Sequence, residues 1–134
     1  MRVLITHVDF IEFEPVKKEI QLAEETVRRV SRIEEALVLF VAVEKGDSEE
    51  KLAKLVNEVE HVIKNLKVSR VVVYPFAHLS NNLEKPSVAL QLLRKLESLL
   101  KLRGIEVYRA PFGWCKSLHV KVKGHPLAEQ LKVV

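Results

Sequence analysis

Cysteine is nearly absent. The single Cys115 among 134 residues rules out an internal disulfide framework and points to a reducing compartment such as the cytoplasm. Long apolar runs are missing too. Nothing approaches the roughly 18 residues of a membrane-spanning helix, so no membrane is expected as a partner. No signal-peptide pattern is found, because Met1-Arg2 leads straight into a strand-like run. There is no GxGxxG fingerprint and no P-loop. His7, His61, His78, His119 and His125 are scattered, with no cysteine pair and no H-E-x-x-H, so nothing has zinc spacing and no metal is called for. Internal repeats, low-complexity tracts and linkers are also lacking.

What remains is a chain that can bury a core. At 134 residues and 48% hydrophobic content, one domain spanning 1–134 is expected. Lys and Glu are abundant while Cys and Met occur once each, a balance that leans towards thermophiles. The net charge of +4 hides an asymmetry: residues 85–134 carry ten Lys/Arg against three Asp/Glu. That excess suits an anionic partner such as RNA, although an ordinary solvated surface has the same composition.

Residues 2–10 read as a strand with two largely apolar faces, central or covered on both sides. Residues 11–14 continue it or form a second strand. His7 and Asp9 share a face and make a candidate polar pair. Residues 15–32 are charged and helix-permissive, which predicts a surface loop or short helix. The continuous run from Ala36 to Val43 fits a buried strand. Asp47-Ser48-Glu49-Glu50 supplies an N-cap with Glu at N3. Leu52, Leu55, Val56, Val59, Val62, Ile63 and Leu66 then mark an amphipathic helix. Arg70–Tyr74 is a short buried strand. Pro86 opens a second amphipathic helix that Gly104 ends, and 105–109 is another strand. Strand–helix–strand–helix–strand implies a parallel core with antiparallel flanking strands, hence an α/β fold with a mixed sheet and two main helices.

Chemistry gathers at two places. Between Ala110 and Val122, Phe112, Trp114, Leu118, Val120 and Val122 alternate onto one strand face, and Lys116 falls among them. An ammonium there must snorkel out, be paired, or be used. Cys115 falls on the other face, where it reads as a small hydrophobe. His78 sits in the loop after the Arg70–Tyr74 strand, and ligands of α/β sheets favour the carboxyl ends of parallel strands. Gly124-His125-Pro126 is a turn signal, and Leu127-Ala128-Glu129 is compatible with a short final helix.

The motifs H-V-D-F-I-E-F-E (7–14), V-A-V-E-K (41–45), Y-P-F-A-H-L-S (74–80), K-P-S-V-A (85–89), A-P-F-G-W-C-K (110–116) and K-G-H-P-L-A-E (123–129) run through nearly the whole chain. In this order they resemble the N-terminal editing domain of archaeal threonyl-tRNA synthetase. The resemblance implies a fold like that of D-aminoacyl-tRNA deacylases, a homodimer, and hydrolysis of L-serine mischarged onto tRNA(Thr), with no cofactor. It assigns Lys116 as the active-site lysine, His78 as the pocket histidine and Glu129 as the pocket glutamate. Val43, Pro75, Ala77 and Phe112 match pocket-lining positions. Family members carry two tyrosines before the lysine, where this chain has Trp114 and Cys115, so Cys115 takes a position beside the substrate. A catalytic synthetase part would act with the domain in cis or in trans. The alternatives are a D-aminoacyl-tRNA deacylase, whose Gly-Pro and S-Q-F-T-L-like motifs this chain lacks, and a non-catalytic tRNA-binding or dimerisation module.

Overall fold

The computed structural model describes all of residues 1–134. Six strands and two helices follow in the order β1 (Arg2–Lys18), β2 (Ser31–Ala42), α1 (Glu49–Leu66), β3 (Arg70–Pro75), α2 (Pro86–Leu102), β4 (Glu106–Arg109), β5 (Trp114–Val122) and β6 (Glu129–Val133). A 3-10 turn, Ala77–Leu79, follows β3. The sheet runs β4-β3-β2-β1-β5, and β6 adds to the β5 side of β1. β2, β3 and β4 are parallel to one another, while β1 is antiparallel to β2, β5 and β6. The expected mixed α/β sheet is thus present.

Both faces of β2 and β3 are buried, which is why each reads as an unbroken apolar run. Leu37, Leu39, Val41, Val71 and Val73 face the helices and pack on Leu52, Leu55, Leu93 and Leu96. Val38, Phe40, Val72 and Tyr74 face the other way, with Val8, Ile11 and Phe13 of β1. β1 is central. Its register against β5 slips between Val8 and Phe10 and again between Pro15 and Lys17. Such bulges bend a strand and re-aim its side chains.

Of the loop or short helix expected over 15–32, residues 19–30 take the loop, an irregular chain against the β4–β5 connection where Glu24 N–H donates to Phe112 O at 3.0 Å. Pro15–Lys18 extend β1 and Ser31–Arg32 open β2, so this and three further expectations need correction. Tertiary bonds override helix-permissive composition there. Residues 127–129 form no helix either. Ala128 N–H closes a turn on His125 O, and Glu129–Val133 pairs with Arg2–Thr6, because the edge of β1 beyond β5 offers free ladder groups. The capping box is unmade: Ser48 is the N-cap of α1 without a side-chain bond. The buried Asp47 instead accepts from Glu44 N–H at 2.6 Å and Lys51 Nζ at 2.9 Å. His7 and Asp9 do not pair. The bulge separates them, and His7 Nδ1 meets His125 Nε2 at 2.8 Å while Asp9 accepts from Lys123 at 2.6 Å. Gly104, at φ 79°, does end α2.

Candidate functional site

β2 and β3 end side by side, parallel, and α2 begins above them. The chain leaving each strand must turn, and the groove between these turns is the place an α/β sheet offers a ligand. A cavity of about 560 Å³ opens there. Val41, Ala42 and Val43 form its floor with Tyr74 and Pro75. Pro86, Ala89 and Leu93 of α2 close one side. Phe112–Lys116 and Leu118 close the other, with Glu19 and Ile20 behind them.

Seven of the eight residues singled out from the sequence line this one cavity: Val43, Pro75, Ala77, His78, Phe112, Cys115 and Lys116. Glu129 does not. It is exposed at the start of β6, opposite Thr6, whereas Lys116 lies opposite Pro15. Thr6 and Pro15 are nine steps apart along β1, about 30 Å at roughly 3.3 Å per residue.

Lys116 is the electrostatic centre. Its ammonium donates to Pro111 O at 2.9 Å and Trp114 O at 3.1 Å, and stands 5.0 Å from the centre of the Tyr74 ring. No carboxylate lies within 4.0 Å of it. Burial pulls its pKa down to about 8, against the charges of Glu19 and Glu24, which hold it up. Burial likewise pushes the Tyr74 phenol up to about 12, so the ring beside the lysine stays neutral. An ammonium has three N–H donors. Two are bonded to backbone, which leaves one for a ligand or a water. The bland alternative, a lysine that snorkels to solvent, does not describe this geometry.

His78 stands at the rim on the Ala77–Leu79 turn, exposed, with its ring edge-on to Phe76 at 5.1 Å. Pro75 stops β3, and Ser80 Oγ donates to Glu44 Oε2 at 2.5 Å, which fixes the loop from behind. Cys115 is exposed and faces the cavity, with no histidine bonded to it. Nothing in the sequence pointed to Glu19, Ile20 or Glu24, because their place depends on a long-range contact. One local signal existed. Gly113 has φ 82°, and a Cβ there would come within 2.8 Å of Ala23 Cα, so this glycine marks a close crossing of two chain segments.

The basic excess of residues 85–134 is mostly answered within the fold. Arg94 and Arg109 pair with Glu24, Lys101 with Glu97, Arg103 with Glu60, Lys121 and Lys123 with Asp9, and Lys132 with Glu58. The cations beside the cavity are of another origin. Lys17 lies opposite Cys115 in the sheet, and Arg28 sits 5.3 Å from the centre of the Trp114 ring. Lys85 stands between Glu84 and Pro86 of the cavity wall. None of the three side-chain cations has a carboxylate within 4.0 Å.

The fold and the site define a small α/β domain that closes an apolar cavity around one desolvated lysine. The chain matches, over residues 1–134, the archaea-specific editing domain of threonyl-tRNA synthetase, and it belongs to that family. It is 45% identical over 135 residues to a threonine–tRNA ligase of Nitrosopumilus maritimus, covering 100% of this chain and 21% of that protein. The threonine–tRNA ligase of Methanothrix thermoacetophila is 48% identical, covering 96% of this chain and 21% of the relative. The chain therefore spans about a fifth of the length of these relatives. Among solved structures, the c-Myc DNA Unwinding Element Binding Protein superposes with a TM-score of 0.77 at 9% identity, covering 100% of this chain and 99% of its own. That likeness shows the fold alone, an α/β domain with a mixed sheet. No helix is long and apolar enough to cross a membrane.

Proposed function

We propose that residues 1–134 hydrolyse the aminoacyl ester of L-seryl-tRNA(Thr), releasing serine and tRNA(Thr), as the cytoplasmic editing part of a threonyl-tRNA synthetase whose catalytic part acts in cis or in trans. The observation that carries this reading is the half-buried ammonium of Lys116, set among the lining residues that the family resemblance assigns. Serine and threonine differ by one methyl, which a binding pocket discriminates by only about 1–3 kcal/mol, so a threonine-charging enzyme needs a second, hydrolytic sieve. In the hydrolysis, water attacks the ester carbonyl carbon, the bond to the ribose oxygen breaks, and that oxygen leaves with a proton. Negative charge builds on the carbonyl oxygen. The free N–H of Lys116 is suited to meet it or to orient the water, in a cavity where little solvent competes. The terminal ribose 2′-hydroxyl assists, as the resemblance implies, and His78 at the rim holds the aminoacyl end. The cavity is larger than serine alone needs and leaves room for the terminal nucleoside. Lys17, Arg28 and Lys85 flank it and suit the phosphates that follow.

Within one chain Glu129 lies far from the cavity, so it takes part only if a second copy of the chain supplies it, as the homodimer reading allows. Mixing Lys116→Met with Glu129→Ala then restores one complete site per hybrid dimer. Mixed chains that stay as inactive as either variant alone would refute the supply of Glu129 across the dimer, and a Glu129→Ala protein as active as the wild type would place Glu129 outside the chemistry. The function itself is tested with L-Ser-, L-Thr- and D-aminoacyl-tRNA. Selective release of serine is expected. Release of D-amino acids instead would assign the D-aminoacyl-tRNA deacylase activity, and release of none would leave a binding module.

A further inference from the structure

Lys116 is placed by carbonyls, and those carbonyls belong to a turn that has little of its own to hold it. Pro111 lacks a backbone N–H, and Gly113 lacks a side chain. The turn is held from outside. Glu24 Oε1 accepts from Phe112 N–H at 2.9 Å, and Glu24 O accepts from the Trp114 indole N–H at 2.7 Å. Glu24 N–H donates to Phe112 O at 3.0 Å, and Glu19 N–H donates to Gly113 O at 2.8 Å. The Glu24 carboxylate is fixed in turn. Arg109 grips it with both terminal nitrogens, the second at 2.9 Å, and Arg94 adds a bond at 3.2 Å. Arg109 is itself tied by Nε to Glu97 of α2 at 2.8 Å. One carboxylate thus joins β4, α2 and the β4–β5 turn.

We propose that Glu24 is the positioning residue of Lys116: it locks the Pro111–Trp114 turn so that the Pro111 and Trp114 carbonyls present the ammonium to the cavity. The role rests on the reading of Lys116 as the group that acts on the ester. Two features favour positioning over simple stabilisation. The bonds converge on the backbone between the two carbonyls that receive Lys116, and Gly113 admits the 19–24 segment to a distance no side chain would allow. The carboxylate also stays charged across the working range. Burial alone would raise its pKa, but the bonds from Arg109 and Phe112 outweigh that and carry it down to about 2.

The test is Glu24→Gln, with Glu24→Asp as the conservative partner. Trp114 is the only tryptophan, so its emission reports the clamp directly. The titratable groups near Lys116 are Glu19, Glu24 and Cys115, with the neutral Tyr74 ring beside it. Glu24→Gln is expected to red-shift Trp114 emission and keep the far-ultraviolet dichroism. It should move the Lys116 side-chain titration, followed by NMR and assigned by its absence in Lys116→Met, to lower pH. It should also lower kcat for seryl-tRNA about tenfold, with KM changed less than twofold, and Glu24→Asp should recover part of the rate. An unmoved Lys116 titration in a folded Glu24→Gln protein overturns the proposal, as does a rate loss that merely follows the unfolded fraction. If the wild-type protein does not release serine, the functional reading falls by itself, and emission and titration still decide whether Glu24 sets Lys116.

Discussion

Replacing Lys116 by methionine removes one charge and keeps the length and apolar character of the stem. The effect on stability follows from the site. A lysine in the unfolded chain has a pKa near 10.5, and in the fold burial lowers it to about 8. At about 1.36 kcal/mol per unit, holding the charged form in the fold costs about 3 kcal/mol below pH 8. Methionine avoids that cost but leaves Pro111 O and Trp114 O without their partner, at about 1 kcal/mol each. The net is a gain of about 1 kcal/mol at pH 7, or about 3–4 °C in Tm for a domain of this size. The sign reverses with pH. Between pH 8 and 10.5 the unfolded chain binds more protons than the fold at this position, so wild-type stability rises with pH. By pH 9.5 the wild type recovers about 2 kcal/mol and becomes the more stable of the two, by about 1 kcal/mol. Tyr74 titrates with the opposite sign only above pH 10 and is common to both proteins, so it cancels in the difference. Urea unfolding of both proteins at pH 7, 8.5 and 9.5 measures the gap. A gap that stays flat across that range would show that the ammonium is not desolvated. A variant less stable than wild type at pH 7 would show that the two carbonyl bonds outweigh burial.

His78→Ala should lower seryl-tRNA hydrolysis at least tenfold and leave Tm within about 2 °C, since an exposed loop side chain carries little of the core; a drop in Tm that accounts for the lost activity would make His78 structural. Affinity for tRNA should fall with salt at a log–log slope of about −2, at roughly −0.7 per phosphate contact for the three flanking cations. Charge reversal at Lys17, Arg28 or Lys85 should weaken binding and flatten that slope. Reversal at Lys121 or Lys123, both bonded to Asp9, should leave the slope unchanged, and an equal effect there would return the RNA surface to the C-terminal third. Light scattering at micromolar concentration should give the mass of two chains, and a monomer would refute the homodimer.

The parts of this molecule that were legible are those whose pattern is local. α1 and α2 announce themselves by helical spacing, and β2 and β3 by unbroken apolar runs that need cover on both faces. Lys116 stood out for the same reason, as one charge in register with an apolar strand face. The 19–24 segment was illegible because its conformation is fixed by Phe112, Gly113 and Trp114, some 90 residues away in sequence. β6 was misread because Pro126 and Leu127 satisfy the rules for a helix start, while the free edge of β1 that captures the chain is visible only once β5 is in place. The charge asymmetry was legible as a number but not as a surface. Most of its cations are bound to carboxylates from the other end of the chain, and the unpaired ones beside the cavity come partly from residues 17–28.

The central claim is that a held cation at position 116 makes the ester of seryl-tRNA(Thr) labile. Single-turnover hydrolysis of L-seryl-tRNA(Thr), wild type against Lys116→Met at pH 7, tests it most directly. A loss of roughly 10²-fold or more, the scale of one oxyanion-type contact, with an unchanged fold, is the expected result. A Lys116→Met protein that releases serine at the wild-type rate would contradict the account and leave the chemistry to the substrate's own hydroxyl and to backbone groups.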